Sequence, residues 1–130
     1  MATWKQVRDY LFANYKCEYN NDGDFIKLIF DAGNDRTQVV IVDRLKNQAG
    51  TSWVQVSSPV GEVEGADIFD LLEELSSTVC GGAIKIGDDI WIRNVILLDS
   101  IDNDLLDSAL ARIASIADDL EEKFVGGDEY

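Results

Sequence analysis

Histidine is absent from this chain of 130 residues. Its absence removes the commonest general base and both the Ser-His and Cys-His nucleophile pairs. Cysteine is nearly absent too. Cys17 and Cys80 stand far apart, form no C-x-x-C pattern and cannot fill a zinc site between them. Basic residues are scarce, with 11 Lys and Arg against 25 Asp and Glu, for a net charge of −14. Binding phosphates needs clustered Lys and Arg, so nucleic acid and anionic membrane surfaces are excluded as partners. No run approaches the ~18 apolar residues of a membrane span. Proline occurs once, at Pro59, so Pro-rich linkers are excluded.

The hydrophobic fraction is 46%, which supports a folded core and argues against disorder. The length fits one domain, expected over residues 1–125, followed by an acidic tail at 126–130. Acidity is uneven. Residues 1–65 carry 7 basic and 9 acidic side chains, whereas residues 66–130 carry 4 and 16. Charge of this sign suits basic or unfolded polypeptides or divalent cations, or serves solubility alone. The N-terminus leads directly into a polar helix, so no secretory leader is expected. With two unpaired thiols, the chain reads as cytoplasmic, its cysteines reduced and acting as small core residues.

A helix is expected from Trp4 to Ala13, with Thr3 as N-cap and Gln6 completing a capping box. Trp4, Val7 and Leu11 form its apolar stripe. Tyr15 to Tyr19 suits a short edge strand, and Asn20-Asn21-Asp22-Gly23 is a turn signal. Strands are expected at Asp24 to Asp31, Thr37 to Leu45 and Ser52 to Ser58, with Ser58 to Gly65 as an exit loop. Short connections favour antiparallel neighbours. A helix from Asp67 to Ser76, capped by Asp67, precedes a hairpin over residues 83–98 that turns at Gly87-Asp88-Asp89. A long amphipathic helix from Asn103 to Phe124 closes the domain, presenting Ile113, Ile116 and Leu120 to the sheet. The fold class is therefore α+β, an antiparallel sheet with helices in the order α-β-β-β(-β)-α-β-β-α.

Strand alternation carries a sharper inference. Ile26, Leu28 and Phe30 share one side of their strand, with Phe25, Lys27 and Ile29 opposite. Val40 and Val42 oppose Val39 and Ile41, and Val54 and Val56 oppose Trp53. A sheet with one solvated face should alternate between apolar and polar residues. Here both faces are largely apolar. Helices can cover one of them. The other, assigned to Phe25, Ile29, Val39, Ile41 and Trp53, needs a cover from a helix of this chain, a second copy or a bound peptide.

Tests for chemistry fail. The glycines match neither a P-loop nor a dinucleotide fingerprint. Asn20, Asp22 and Asp24 have the spacing of an EF-hand start, but Phe25 occupies the place where that loop needs glycine. Asp99, Asp102, Asp104 and Asp107 are explained by capping and the helix dipole. No cofactor, metal or catalytic residue is expected.

Several segments resemble the YbjN-like family of bacterial sensory transduction regulators, whose fold is similar to class I type III secretion chaperones. They are WKQVRDYLFANY, FIKLIF after the NNDG turn, AIKIGDDIWIRNVILL, and LLDSALARIASIADDLEEKF. The resemblance spans nearly the whole chain. It implies a compact α+β domain, a homodimer, and a non-enzymatic role in binding another polypeptide. Ile68, Leu72 and Leu75, with Trp91 and Val95, are the expected twofold interface, since both segments are more apolar than one sheet face requires. The resulting expectation is a protein-binding module, chaperone- or regulator-like, that engages a protein or peptide through apolar sheet surface. The alternatives are an acidic inhibitor that mimics nucleic acid and a small carboxylate-based enzyme.

Overall fold

Thr3 opens the first helix as its capping box predicts. The Thr3 hydroxyl accepts the Gln6 amide at 3.2 Å, and the Gln6 side chain accepts the Thr3 amide at 2.9 Å. The computed structural model describes residues 3–19, 25–33, 36–46, 48–78 and 81–125. Helix α1 spans Trp4–Asn14 and buries Trp4, Val7 and Leu11. It stops where Tyr15 turns to an extended backbone, φ −132° and ψ 157°. The chain then forms β1 (Cys17–Tyr19), β2 (Phe25–Gly33), β3 (Arg36–Lys46) and β4 (Ser52–Gly61). Helix α2 (Ile68–Leu75), β5 (Gly82–Ile86), β6 (Asp89–Leu97) and α3 (Asn103–Phe124) complete the order. The expected α+β class and element order hold. The expected NNDG turn lies outside the described residues.

The strands form one antiparallel sheet in the order β1-β2-β3-β4-β6-β5. Its registers place like with like: Leu28 opposes Val40, Val42 opposes Val56, and Val54 opposes Ile96. Because side chains alternate with period 2, these registers gather Ile26, Leu28, Val40, Val42, Val54, Val56 and Ile92 on one side. All seven are fully buried. Helix α3 lies over them, burying Leu106, Leu110, Ile113, Ala117 and Leu120. Trp4, Val7 and Leu11 of α1 and Leu71 of α2 join the same core. Among the described residues, all three helices therefore cover one face of the sheet, and the domain has two layers.

Strand β4 runs three residues further than the sequence suggests. The ladder between β3 and β4 ends at Ile41 and Ser57, while β4 continues against β6 through Pro59 opposite Trp91. Proline lacks an N–H, so it needs a strand edge where none is required. Pro59 has one, because its polar side faces the gap left by β3. Gln38, fully buried, fills this gap by donating Nε2 to the Pro59 carbonyl at 2.9 Å and to Ser58 Oγ at 2.8 Å. Ser58 Oγ in turn donates to the Val39 carbonyl. Pairing with β6 keeps Ser58 to Gly61 as strand and not an exit loop, and side chains replace the ladder bonds missing on the β3 edge.

Asp67 stands at the N-cap position of α2 as expected, but it does not cap the helix with its side chain. It belongs to a 3-10 turn, Gly65–Asp67, that runs directly into the helix, and its side chain makes no capping bond. At the other end, the hydroxyls of Ser76, Ser77 and Thr78 donate to the carbonyls of Glu73, Glu74 and Leu75. These bonds satisfy the last carbonyls of α2. Gly81 then passes so close to β6 that a Cβ there would lie 2.4 Å from the Arg93 carbonyl oxygen. The hairpin turn is Gly87-Asp88, with Gly87 at φ 60°, and Asp89 is already in β6. Asp102 caps α3, its Oδ1 accepting the Leu105 amide at 2.7 Å.

Two polar clusters tie α3 down. Arg36, at the start of β3, reaches Asp118 with Nη2 at 2.9 Å and Nε at 3.0 Å, and Glu121 with Nη2 at 3.6 Å. Glu121 is fully buried and Asp118 nearly so. At the opposite end, the hydroxyls of Tyr10 and Tyr15 donate to the two oxygens of Asp107, at 2.7 and 2.5 Å. The hydrogen bond to Asp107 is the main cause raising the Tyr10 pKa. Burial, then Asp107, raises that of Tyr15.

Leu110→Ala should cost about 2–5 kcal/mol in urea denaturation, because the site is sealed between α3 and the sheet. Arg36→Ala should cost about 3–5 kcal/mol by the same measurement, since it removes the cation that the buried Asp118 and Glu121 share. A loss below about 1 kcal/mol for either would contradict the packing described.

Candidate functional site

The sheet face opposite the helices is built by the alternate residues of the same strands. Cross-strand registers arrange it in rows. Leu45, Trp53 and Leu97 form one end. Phe25, Asp43, Gln55 and Val95 follow, then Lys27, Ile41, Ser57 and Arg93. Ile29 beside Val39, and Trp91 beside Pro59 and Ile84, form the other end. Two apolar ends thus flank a polar waist. No helix among the described residues lies over any of it, since the buried residues of all three helices belong to the core on the other side.

Exposure follows this arrangement. Phe25 is 39% exposed, Leu45 47% and Val95 42%, while Trp53 and Trp91 are half-buried. Ile41 is buried, yet it stands outside the core cluster. Its cover comes from neighbouring side chains of its own face. Gln55 and Ser57 are nearly buried in the same way.

The waist is electrostatically specific. Gln55 Nε2 donates to Asp43 Oδ2 at 3.3 Å, and Arg93 Nε points to Ser57 Oγ at 3.5 Å. Burial among apolar neighbours pushes the Asp43 carboxyl above the usual range. The positive charge of Arg93, a hydrogen bond from its own backbone and the one from Gln55 pull it back only in part. A partly desolvated carboxylate beside a cation is a recognition element that favours a partner bearing both signs.

All five residues assigned to the uncovered face, Phe25, Ile29, Val39, Ile41 and Trp53, lie on it. Trp91 and Val95 lie there too. The residues of the expected twofold interface are divided between the two sides of the sheet. Ile68 and Leu75 pack against the core on the helix side, while Leu72 is 46% exposed there, so the sheet separates them from Trp91 and Val95. The helix covers the end of the core beside α3, where Lys123 Nζ lies 2.6 Å from Glu74 Oε2, and leaves Phe69 80% exposed. Sequence reasoning missed Leu45, Leu97, Asp43, Gln55 and Arg93. Alternation alone assigns Leu45 to the side of Ile41, but Leu97 and Arg93 needed the register of β6 against β4, which no local signal carries.

Other candidates show less chemistry. Cys17 Sγ lies 3.2 Å from the Leu11 carbonyl and 3.4 Å from that of Tyr15, and burial pushes its thiol pKa up, away from a reactive thiolate. Cys80, Asn20, Asp22 and Asp24 lie outside the described residues. Among the described residues no cluster of three or more Asp, Glu or Cys is placed to hold a metal ion. A cleft of about 320 Å³ between the end of β2 and α3 is lined by Phe30, Asp31, Ser115, Asp118 and Asp119. Burial, then the charges of Asp118 and Glu122, raises the Asp119 pKa. No described helix is long and apolar enough to cross a membrane. Comparison of the chain with family models, curated proteins and solved structures found no match.

The raised pKa of Asp43 fixes the sign of a pH effect. The folded state holds the proton more tightly than the unfolded one, so this group's contribution is complete below the unfolded value of 3.8 and is lost as pH rises through the folded value. Asp43→Asn should therefore be more stable than the parent at pH 7, with the difference shrinking towards pH 3. Urea titrations at the two pH values check this, and a variant less stable at pH 7 would show that the Arg93 charge outweighs burial.

Proposed function

We propose that this protein is a non-enzymatic polypeptide-binding module, acting in a cytoplasm, whose working surface is the sheet face opposite the helices. The observation that carries this reading is the face itself. Two tryptophans and a set of exposed aliphatic side chains stand there on a rigid six-stranded sheet, with no described helix over them. Exposed apolar patches bordered by polar residues, as at each end of this face, mark interaction sites. Aromatic residues set among side chains that exclude water are the usual anchors of such interfaces.

The chemistry of the chain supports binding over catalysis. It has no histidine, and the Cys17 thiol is held towards its neutral form. The resemblance to YbjN-like regulators and secretion chaperones supports the same class, since the element order agrees with it. The acidic residues of α2 and α3 face away from the sheet surface, where they disfavour nucleic acid and anionic lipid.

Trp53 is the residue to test. Its neighbours Leu45 and Leu97 make it the centre of one apolar end. Trp53→Ala should keep the circular dichroism spectrum of the parent and weaken partner capture by about 2 kcal/mol or more. Pulldown with cross-linking mass spectrometry reads both the partner and the surface. Cross-links confined to α2 and α3, with capture unaffected by the substitution, would move the site to the helical side.

A further inference from the structure

We propose that the exposed flank of α2, formed by Phe69 and Leu72, seats in an apolar groove of another folded protein whose rim carries Lys and Arg. This surface lies on the helix side, apart from the sheet face, and the proposal does not depend on that face.

Phe69 is 80% exposed and Leu72 46%, while Leu71 between them is 1% exposed. A single exposed apolar residue needs no explanation. These two are not scattered. At ~100° per residue they stand about 60° apart and one turn along the same helix. The core takes a different stripe, Ile68, Leu71 and Leu75. Within eight residues α2 is thus apolar on two faces, and packing on the sheet accounts for only one. The second face is turned from α3. Glu74, which reaches Lys123 at 2.6 Å, lies roughly 140° around the helix from Phe69. A partner therefore has access to Phe69 without displacing α3.

Charge selects the partner. Asp70 and Glu73 are exposed beside the apolar pair, and Glu62 and Glu64 are exposed just ahead of the helix. No Lys or Arg occurs between Lys46 and Lys85. A second copy meeting this flank with its own would set Asp70 and Glu73 against their equivalents. Anionic lipid and nucleic acid would be repelled. A groove with a neutral rim would desolvate the carboxylates and leave them unpaired. A groove with an apolar floor and a basic rim satisfies both parts, its floor taking Phe69 and Leu72 and its cations meeting Asp70 and Glu73.

Shape agrees with charge. The flank is convex, so this chain supplies the inserted element and the partner the groove, the reverse of the sheet face. Side chains at i and i+3 are the usual anchors when a helix lies in a groove. Helix α2 is also formed in advance. Leu71 fastens it to the core, and the hydroxyls of Ser76, Ser77 and Thr78 close its end. Little ordering cost remains to oppose binding.

The full chain with Phe69 replaced by photoreactive benzoylphenylalanine, irradiated in the cell that makes it, should cross-link to a different protein. Mass spectrometry identifies that protein and the residues joined, which should line an apolar groove bordered by Lys and Arg. Calorimetric titration of the purified partner then reads the contact. Phe69→Ala should weaken binding about tenfold or more. The double change Asp70→Lys and Glu73→Lys should weaken it at least as far, and the affinity of the parent should fall as salt rises. Both variants should keep the circular dichroism and urea midpoint of the parent, because these positions are exposed; Leu72→Gln repeats the test if Phe69→Ala does not. Trp53→Ala should leave this affinity unchanged. No cross-link, or a cross-link to a second copy of this chain, would overturn the proposal. So would an affinity indifferent to the charge reversal, or one lost with Trp53→Ala and kept with Phe69→Ala, which would put that partner on the sheet face.

Discussion

The structure depends on one choice of register. A strand with apolar residues at both odd and even positions can turn either side towards a helix, and a slip of one residue exchanges the two sides. Strands β2, β3, β4 and β6 all have this ambiguity. Charged residues at the centre of the sheet help resolve it, although Gln38, Arg44, Ser58 and Asn94 fall on the helix side. Lys27, Asp43, Gln55, Ser57 and Arg93 meet in one waist, and burying that waist under α3 would strand two cations and a carboxylate away from water. The opposite side offers Ile26, Leu28, Val40, Val42, Val54, Val56 and Ile92, which can be sealed at no such cost. The waist therefore orients the sheet as much as the core does.

Once the sheet is oriented, the helix layer has little freedom. Helix α3 supplies the cover, and alanines at 109, 114 and 117 let it approach the strands closely. Its two ends are held by unlike means. Near its start, Asp107 takes hydroxyls from Tyr10 and Tyr15, binding α1 and the residue that ends it. Towards its end, Arg36 binds Asp118 and Glu121, so β3 and α3 are locked through charges that neither could bury alone. The acidity of α3 is thus partly structural. The remaining carboxylates face solvent and make the helical side strongly anionic.

This division gives the molecule two unlike surfaces. The helix side is strongly charged, but it also leaves Phe69 and Leu72 of α2 exposed. The sheet side keeps its aromatic residues half-exposed and its charge nearly balanced. A binding reading follows from that contrast more than from any single residue. Trp53 and Trp91 sit at opposite ends of the face, on β4 and β6, so a partner must span the sheet to meet both.

Local sequence was enough for the elements that close on themselves. The capping box at Thr3 and Gln6, the 3.6-residue stripe from Asn103 to Phe124, and the alternation through Phe25 to Phe30 depend on neighbours a few residues away. They were legible for that reason, as were the five residues assigned to the uncovered face. Where an element depended on a distant partner, the sequence misled or was silent. Pro59 reads as a loop signal, yet it stays in β4 because β3 has already parted from that edge and Gln38 fills the gap. The stripe of α2 reads as spare apolar surface, and the structure divides it: Ile68, Leu71 and Leu75 are spent on the core, while Phe69 and Leu72 stay exposed. Pairing of β6 with β4, across the intervening α2 and β5, set Trp91, Arg93, Val95 and Leu97 beside Trp53, Gln55 and Ser57. The sequence by itself determined which residues alternate and where helices begin. Only the tertiary structure decided which side of the alternation the helices would take, because that choice rests on where polar residues from four separate strands come together.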